Sequence, residues 1–314
     1  MQFHIAVSIG VLFFSTVASQ AEGSVYDWDA GALPDVKLNT VRYRIWIPAD
    51  AANIRGVLVL IPGTHGDGRS LVSNSMWQDI AAKHHLGILG CQFSEGEIAP
   101  YQDDKKFVAC RSIEKALLQL GKLSGRPELS RVPLALWGHS AGSNLSARFC
   151  RYASRKVIAF ASCKGTRGPT RDSRNTEEVP MLFAIGSRDQ PVWVKNSERN
   201  VRSGLRRGAL WTLALHPNEG HELAGSLKLA GAFLGSVIEQ RLVPSAGNST
   251  TPGIDSPVRL KQLRREEGWL GNPVTGKITP FRDYPDKVKD AVWLPNETAA
   301  QAWQDYLASQ KDSV

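Results

Sequence analysis

Short, continuously apolar segments alternate with longer amphipathic segments through the middle of this 314-residue chain. A short run rich in Val, Ile and Leu is typical of a strand that is buried on both faces of a parallel sheet. The clearest runs are GVLVLIPG (56–63), HLGILGCQF (85–93), VPLALWG (132–138), KVIAFASC (156–163), PMLFAIGS (180–187) and ALWTLALHP (209–217). Apolar residues between these runs recur at helical spacing, as at Ile113, Ala116, Leu117 and Leu120. We therefore predict an α/β fold with a mostly parallel central sheet and helices on both faces.

The run 132–138 leads directly into the sequence GHSAG (138–142), which an amphipathic segment follows. Between a strand and a helix, the serine of a G-x-S-x-G sequence occupies a strained turn that exposes its hydroxyl above the sheet. We predict that Ser140 is a nucleophile and that the N–H of Ala141, at the helix N-terminus, stabilises an oxyanion. An incidental serine in a glycine-rich turn is the alternative.

A serine hydroxyl needs a general base, and ligands of parallel sheets bind where the strands end at their carboxyl ends. His221 lies in NEGHEL (218–223), after the last apolar run, and is the predicted base. His216, at the end of that run, is the second choice. His139 occupies the variable position of the serine turn, where its side chain is expected to point away from the hydroxyl.

The base needs a carboxylate that fixes its tautomer. Asp189 comes just after the run 180–187 and is the predicted partner, with Asp172, in a longer polar loop, as the alternative. The order Ser140, Asp189, His221 is the one expected of a serine triad on this kind of sheet.

A second oxyanion donor is expected in the loop PGTHGDG (62–68), which follows the first parallel run. Its glycines allow the backbone to approach a substrate closely. The N–H of Thr64 is the predicted donor, and that of His65 is the alternative; an ordinary tight turn would need neither.

Residues 41–240 resemble the α/β-hydrolase superfamily. The resemblance rests on residues 138–142, Pro62, Gly63, Thr64, Asp189 and His221. Within the superfamily, the chain is similar to secreted single-domain esterases of the dienelactone-hydrolase, polyhydroxybutyrate-depolymerase and cutinase-like polyester-hydrolase kinds. The resemblance implies the α/β-hydrolase fold, a Ser-His-Asp triad and an acyl-enzyme mechanism without cofactor or metal.

The N-terminus predicts export. An apolar run at residues 5–18 precedes the small residues of ASQA (18–21), as in a secretory signal peptide spanning 1–21. The run is shorter than the roughly 20 residues that a membrane-spanning helix needs. We expect a secreted or periplasmic protein with no membrane span.

The rest of the chain divides by composition. Residues 22–244 form the predicted catalytic domain, and 245–260, rich in Gly, Ser, Thr and Pro, form a predicted linker. The C-terminal extension, residues 261–314, contains Trp269, Trp293 and Trp303 and is expected to pack on the catalytic domain. The short segment 163–180 argues against a large cap domain.

The net charge of +8 comes from Lys and Arg residues that are spread along the chain. The densest group is interpreted as a solvated basic surface, because no nucleic-acid-binding motif accompanies it. It consists of Lys164, Arg167, Arg171 and Arg174.

The chain has four cysteines, Cys91, Cys110, Cys150 and Cys163. They allow two disulfides in three pairings, or four buried thiols.

The sequence favours a secreted, monomeric serine esterase, with polymeric and polysaccharide-linked esters among the candidate substrates. Trp77, Trp137 and Trp193 are candidate substrate contacts, with core packing as the alternative for each. A serine peptidase or amidase on the same fold, and a non-catalytic binding protein that kept the fold, are the other hypotheses.

Overall fold

A computed structural model describes residues 22–95, 106–165, 176–242 and 260–309. Within them, eight strands form the main sheet: β1 (Gly23–Leu33), β2 (Leu38–Pro48), β3 (Gly56–Ile61), β4 (Leu86–Glu95), β5 (Leu134–His139), β6 (Val157–Cys163), β7 (Met181–Gly186) and β8 (Trp211–His216). Their order is β1-β2-β4-β3-β5-β6-β7-β8. The pairs from β4 to β8 are parallel, whereas β1–β2 and β2–β4 are antiparallel. The predicted mostly parallel sheet is confirmed.

Helices cover both faces of this sheet. They are α1 (Ser75–His84), α2 (Val108–Ser124), α3 (Ala141–Ala153), α4 (Pro191–Arg206), α5 (Ser226–Arg241) and α6 (Glu297–Ala308). The chain moves from β3 to β4 in one direction across the sheet and from β5 to β6 in the other. Because crossovers between parallel strands are right-handed, α1 and α3 lie on opposite faces. Helix α1 packs against α5, and α2 packs against α3.

The core sits between the parallel strands and these helices. Every residue of β3, β6 and β7 is buried, which explains their continuously apolar sequences. The predicted apolar face of α2, with Ile113 and Leu117, is buried as well. Trp77 and Trp137 are fully buried and pack on each other with ring centroids 6.2 Å apart. These two tryptophans therefore belong to the core rather than to a substrate site.

The C-terminal extension, described from Lys261 to Ser309, carries a second, three-stranded sheet. Its strands are β9 (Trp269–Gly271), β10 (Ile278–Pro280) and β11 (Val292–Leu294), in the order β10-β9-β11. Asn296 caps the N-terminus of α6, since its side chain accepts the N–H of Ala299 at 3.0 Å.

The extension is joined to the main sheet by hydrogen bonds and by helix packing. The indole N–H of Trp303 donates to the carbonyl oxygen of Leu213 on β8 at 2.8 Å. The hydroxyl of Thr212, also on β8, donates to the carbonyl oxygen of Trp293. Helix α6 contacts α5 as well.

Several predicted segments lie outside the described residues. They are the signal peptide at 1–21 and the linker at 245–260 apart from Leu260. Residues 166–175, in the segment that argued against a cap domain, are outside too, with the alternative carboxylate Asp172. No helix in the described part of the chain is long and apolar enough to cross a membrane.

All four cysteines are buried and carry free thiols. Burial raises the pKa of Cys163 to about 11, and it raises the pKa values of Cys91 and Cys150 as well. Of the two possibilities left by the sequence, the structure has four buried thiols. They pack in the core as small apolar side chains.

Candidate active site

Ser140 stands at a sharp turn between β5 and α3. Its backbone has φ 51° and ψ −118°, a conformation that side-chain-bearing residues rarely adopt. Its N–H donates to the carbonyl oxygen of Cys163, the last residue of the neighbouring strand β6, at 3.0 Å. The turn therefore lifts the serine side chain off the carboxyl end of the sheet.

The glycines on either side of Ser140 are required by close backbone contacts. A Cβ at Gly138 would lie 2.6 Å from backbone atoms of Gly142 and Ser143. A Cβ at Gly142 would lie 2.1 Å from the carbonyl oxygen of Ile61 on β3. Any side chain at either position would push α3 away from β3 and β5.

His221 lies beside Ser140 in the loop between β8 and α5. Its Nε2 is 2.8 Å from the Oγ of Ser140, and its side chain is 37% exposed. The loop fits closely against β7, since a Cβ at Gly186 would lie 2.3 Å from the carbonyl oxygen of Glu219. The imidazole can therefore take the Ser140 proton and still reach solvent.

Asp189 lies on the other side of the imidazole, in the loop after β7. Its Oδ2 is 2.7 Å from the Nδ1 of His221, and its side chain is only 5% exposed. Its Oδ1 accepts the N–H of Gln190 at 2.7 Å. A carboxylate can only accept, so Nδ1 carries the proton and Nε2 is left free to accept from Ser140.

His216, the second choice for the base, is occupied elsewhere. Its Nε2 lies 2.9 Å from the carbonyl oxygen of Ser309, and its Nδ1 accepts the N–H of Asn218 at 3.2 Å. Both ring nitrogens are therefore used in anchoring the C-terminal extension and the loop after β8.

His139 has a contact that the sequence did not predict. Its Nε2 lies 3.2 Å from the backbone carbonyl oxygen of His221, and the two rings are 5.6 Å apart. Burial is the main cause that lowers the pKa of His139. A neutral His139 therefore donates its Nε2–H to the main chain of His221.

The two segments that carry the predicted oxyanion donors both lie next to Ser140. Ala141 is the first residue of α3, where backbone N–H groups have no intrahelical acceptor. Thr64 directly follows Gly63, at which a Cβ would lie 3.2 Å from the Cβ of Ser140. The structure therefore brings the loop that carries Thr64 up to the serine.

Trp193, the third candidate aromatic, lies at the edge of the site. It is on the first turn of α4, and its ring is 5.3 Å from that of His221. It is partly exposed, unlike Trp77 and Trp137. An apolar group bound next to His221 would meet this indole.

Lys164, predicted to lie on a solvated basic surface, is instead fully buried. It forms an ion pair with Glu219. That prediction was wrong for Lys164 because a local cluster of basic residues does not reveal a distant carboxylate. The other members of the predicted patch lie outside the described residues.

No group of three or more His, Cys, Asp or Glu side chains in the described residues is arranged to hold a metal ion. The chemistry that this site can perform with its own side chains is nucleophilic attack by Ser140 assisted by His221.

Comparison with solved structures identifies the fold. An esterase from Pyrococcus furiosus aligns with a TM-score of 0.52 at 12% identity, covering 70% of this chain and 94% of its own. A poly(3-hydroxybutyrate) depolymerase from Bordetella parapertussis aligns with a TM-score of 0.50 at 16% identity, covering 68% of this chain and 89% of its own. The chain has the α/β-hydrolase fold.

At these identities the likeness establishes the fold alone. No family model matches the sequence, and no curated protein does either. In the α/β-hydrolase fold, a serine nucleophile, its carboxylate and its histidine occur in that order along the chain. Here Ser140, Asp189 and His221 follow β5, β7 and β8 of the main sheet, in the same order.

Proposed function

We propose that this protein is a serine hydrolase that cleaves carboxylic esters through an acyl-enzyme intermediate. The observation that supports this most directly is the unbroken chain of hydrogen bonds from Asp189 through His221 to Ser140. Structural geometry of this kind is expected of a nucleophile, its base and the group that orients the base.

Acylation begins when the Oγ of Ser140 bonds to the ester carbonyl carbon. Its proton passes to the Nε2 of His221, and the carbonyl π electrons move onto the oxygen. Asp189 stabilises the resulting imidazolium. When the tetrahedral intermediate collapses, the bond to the alcohol oxygen breaks, and the alcohol leaves with the proton from His221.

Deacylation repeats these steps with water as the nucleophile. His221 takes a proton from the water as its oxygen bonds to the acyl carbon, and the bond to the Ser140 Oγ then breaks. The proton returns to Oγ, which restores the free enzyme and releases the carboxylic acid.

The developing oxyanion is held by the N–H of Ala141 and, in this proposal, by the N–H of Thr64. Removing one such donor typically costs about 3–4 kcal/mol of transition-state stabilisation.

An ester is favoured over an amide by the aligned solved structures, which include an esterase and a polyester depolymerase. We propose that Trp193 contacts the acyl or alcohol group, because its ring lies beside His221. Polymeric and polysaccharide-linked esters are the substrate classes to screen first.

Export through the predicted signal peptide is part of the proposal. The mature N-terminus, measured by mass spectrometry, tests it.

The decisive variant is Ser140→Ala. We expect the wild type to hydrolyse a short p-nitrophenyl ester and to be labelled by a fluorophosphonate, and the variant to do neither. Ser146→Ala is the matched control, because this buried hydroxyl on the same helix has no hydrogen-bond partner among the described residues. Labelling of Ser140→Ala at the wild-type rate would contradict the proposal.

The same assay separates the alternatives. A peptidase or amidase would cleave a p-nitroanilide with the same acyl group at a rate comparable to the ester. A non-catalytic binding protein would turn over neither substrate, and its serine would not react with the fluorophosphonate.

A further inference from the structure

A charged cluster lies buried beneath the loop that carries His221. Lys164 is fully buried, the side chain of Glu219 is 4% exposed, and the two form an ion pair. The hydroxyl of Tyr306 lies 2.9 Å from the Nζ of Lys164 and 2.5 Å from the Oε2 of Glu219. These three residues form a closed triangle of hydrogen bonds, here called the Lys164–Glu219–Tyr306 cluster.

A buried ion pair is weak evidence for stability, because desolvation of the two charges offsets their attraction. Apolar residues of similar volume at such positions often stabilise a protein as well or better. Stability alone therefore does not account for the cluster, and its role is better explained by the residues that it holds in position.

Each member of the cluster is tied to a different part of the site. Lys164 directly follows Cys163, whose carbonyl oxygen accepts the N–H of Ser140. Glu219 comes two residues before His221, and its own carbonyl oxygen accepts the N–H of Arg188, next to Asp189, at 2.9 Å. The cluster thus connects the three loops that supply the triad.

Tyr306 comes from helix α6 of the C-terminal extension. Its ring supports the His221 loop directly, since a Cβ at Gly225 would lie 3.2 Å from the Tyr306 Cδ2. The Oε1 of Glu219 accepts the N–H of Gly225 at 3.3 Å. Both ends of the segment 219–225 are therefore fastened to the cluster.

We propose that Tyr306 is a positioning residue, which holds the His221 loop in place through Glu219 and Lys164, so that the extension completes the active site. The proposal rests on the serine-hydrolase function given above. The hydroxyl of Tyr306 accepts from Lys164 and donates to Glu219, which fixes the direction of both bonds. Burial, with the hydrogen bond to Glu219, raises the pKa of Tyr306, so the phenol stays a neutral donor.

The chain contains a matched control for this cluster. The hydroxyl of Tyr152 donates to the Oε2 of Glu114 at 2.7 Å, and Lys156 donates to the Oε1 of the same carboxylate at 2.5 Å. This second group joins the same three residue types through one carboxylate, but it is partly exposed. Its members lie on or next to α2 and α3, and none belongs to a loop of the triad. Tyr152→Phe therefore deletes the same kind of hydrogen bond without touching the His221 loop.

The test compares Tyr306→Phe with Tyr152→Phe in the full-length protein, using a p-nitrophenyl ester. We expect Tyr306→Phe to lower kcat by about 10- to 100-fold, because small misplacement of a catalytic group has effects of that size. The KM should stay within about twofold of the wild-type value, since the cluster does not line the substrate site. Tyr152→Phe should leave both constants within about twofold of the wild type.

Hydrogen exchange measures how well the backbone amides of the His221 loop are protected, without relying on activity. In Tyr306→Phe, the backbone amides of residues 217–225 should exchange faster than in the wild type, while those of β5 should not change. Ser309→Ala is a milder second variant, because the Ser309 hydroxyl donates to the carbonyl oxygen of Tyr306 at 2.9 Å and holds the end of α6. If Tyr306→Phe does not fold, Ser309→Ala replaces it in the test. Ser309→Ala should also lower kcat, by a smaller factor.

The outcomes separate this proposal from the one on which it rests. If the fluorophosphonate labels the wild type and Tyr306→Phe equally fast, and kcat is unchanged in the folded variant, the positioning role is overturned and the serine hydrolase stands. If the wild type is not labelled, the hydrolase function is overturned and the positioning role with it. A loss of kcat of equal size in Tyr152→Phe would also overturn the positioning role.

Discussion

The Nε2 of His139 lies 3.2 Å from the backbone carbonyl oxygen of His221. The residue directly before Ser140, the proposed nucleophile, therefore holds the main chain of His221, the proposed base. Because a carbonyl oxygen only accepts, the neutral His139 ring must carry its proton on Nε2.

The depressed pKa of His139 predicts a loss of stability in mild acid. Its ordinary pKa of 6.5 applies to the unfolded chain, and burial lowers the pKa in the folded protein. As the pH falls through about 6.5, the unfolded state binds the proton first, so the free energy of unfolding decreases; above that pH the contribution is fully present. Urea unfolding between about pH 5 and pH 8 measures this slope.

His139→Gln should flatten that slope, since the amide donates to the same carbonyl and does not titrate. His84, whose pKa burial also lowers, should account for part of the slope that remains. An identical slope in His139→Gln and the wild type would exclude the assigned role of His139 in the pH dependence.

Asp189→Asn should reduce kcat by roughly 10⁴, because an amide in place of the carboxylate favours the wrong imidazole tautomer. Asp172→Asn, the alternative carboxylate from the sequence, is the matched control and should retain wild-type kcat. A large loss in Asp172→Asn with a small one in Asp189→Asn would reassign the carboxylate.

Gly142→Ala should prevent the turn at Ser140 from forming, since the new Cβ would lie 2.1 Å from the carbonyl oxygen of Ile61. We expect a strongly lowered Tm and no fluorophosphonate labelling. Gly235→Ala, inside α5, is the control, because its Cβ would meet only Ile80 side-chain atoms at 3.8 and 3.9 Å. It should stabilise the protein by about 0.5–1 kcal/mol. A Tm for Gly142→Ala equal to the wild-type value would contradict the packing at the turn.

The four buried thiols should not react with a thiol reagent in the native protein. A disulfide-exchange reagent such as DTNB must reach the sulfur atom to react, and all four cysteines are buried. We expect no reaction in buffer and four equivalents after denaturation, one for each cysteine of the chain. A protein isolated with two disulfides would show none under either condition.

The parallel half of the sheet could be predicted because strands buried on both faces leave uninterrupted apolar runs. Strand β1 was not predicted, since it is an edge strand with one solvated face. Its only signal is the alternation of Tyr26 and Trp28 with Asp27 and Asp29, and those aspartates find their partners, Arg44 and Arg42, across the β1–β2 pair.

The parts of the site that could be predicted are those whose residues lie in a local sequence pattern. The turn at Ser140 is set by five consecutive residues, and Asp189 and His221 each follow a recognisable strand. The cluster of Lys164, Glu219 and Tyr306 has no such pattern, because its members meet only when the C-terminal extension packs on β8. The hydrogen bond from His139 likewise depends on how two loops meet.

The hydrogen bond from the Trp303 indole to Leu213 has one more consequence. Strand β8 is the last strand of the main sheet, and an open sheet edge is a template to which another chain can add a strand. The Trp303 indole occupies a backbone acceptor of this strand, and Trp293 is held against the strand by the Thr212 hydroxyl, so the extension shields the edge from such pairing. A form of the protein cut before residue 260 would expose that edge and tend to aggregate through it.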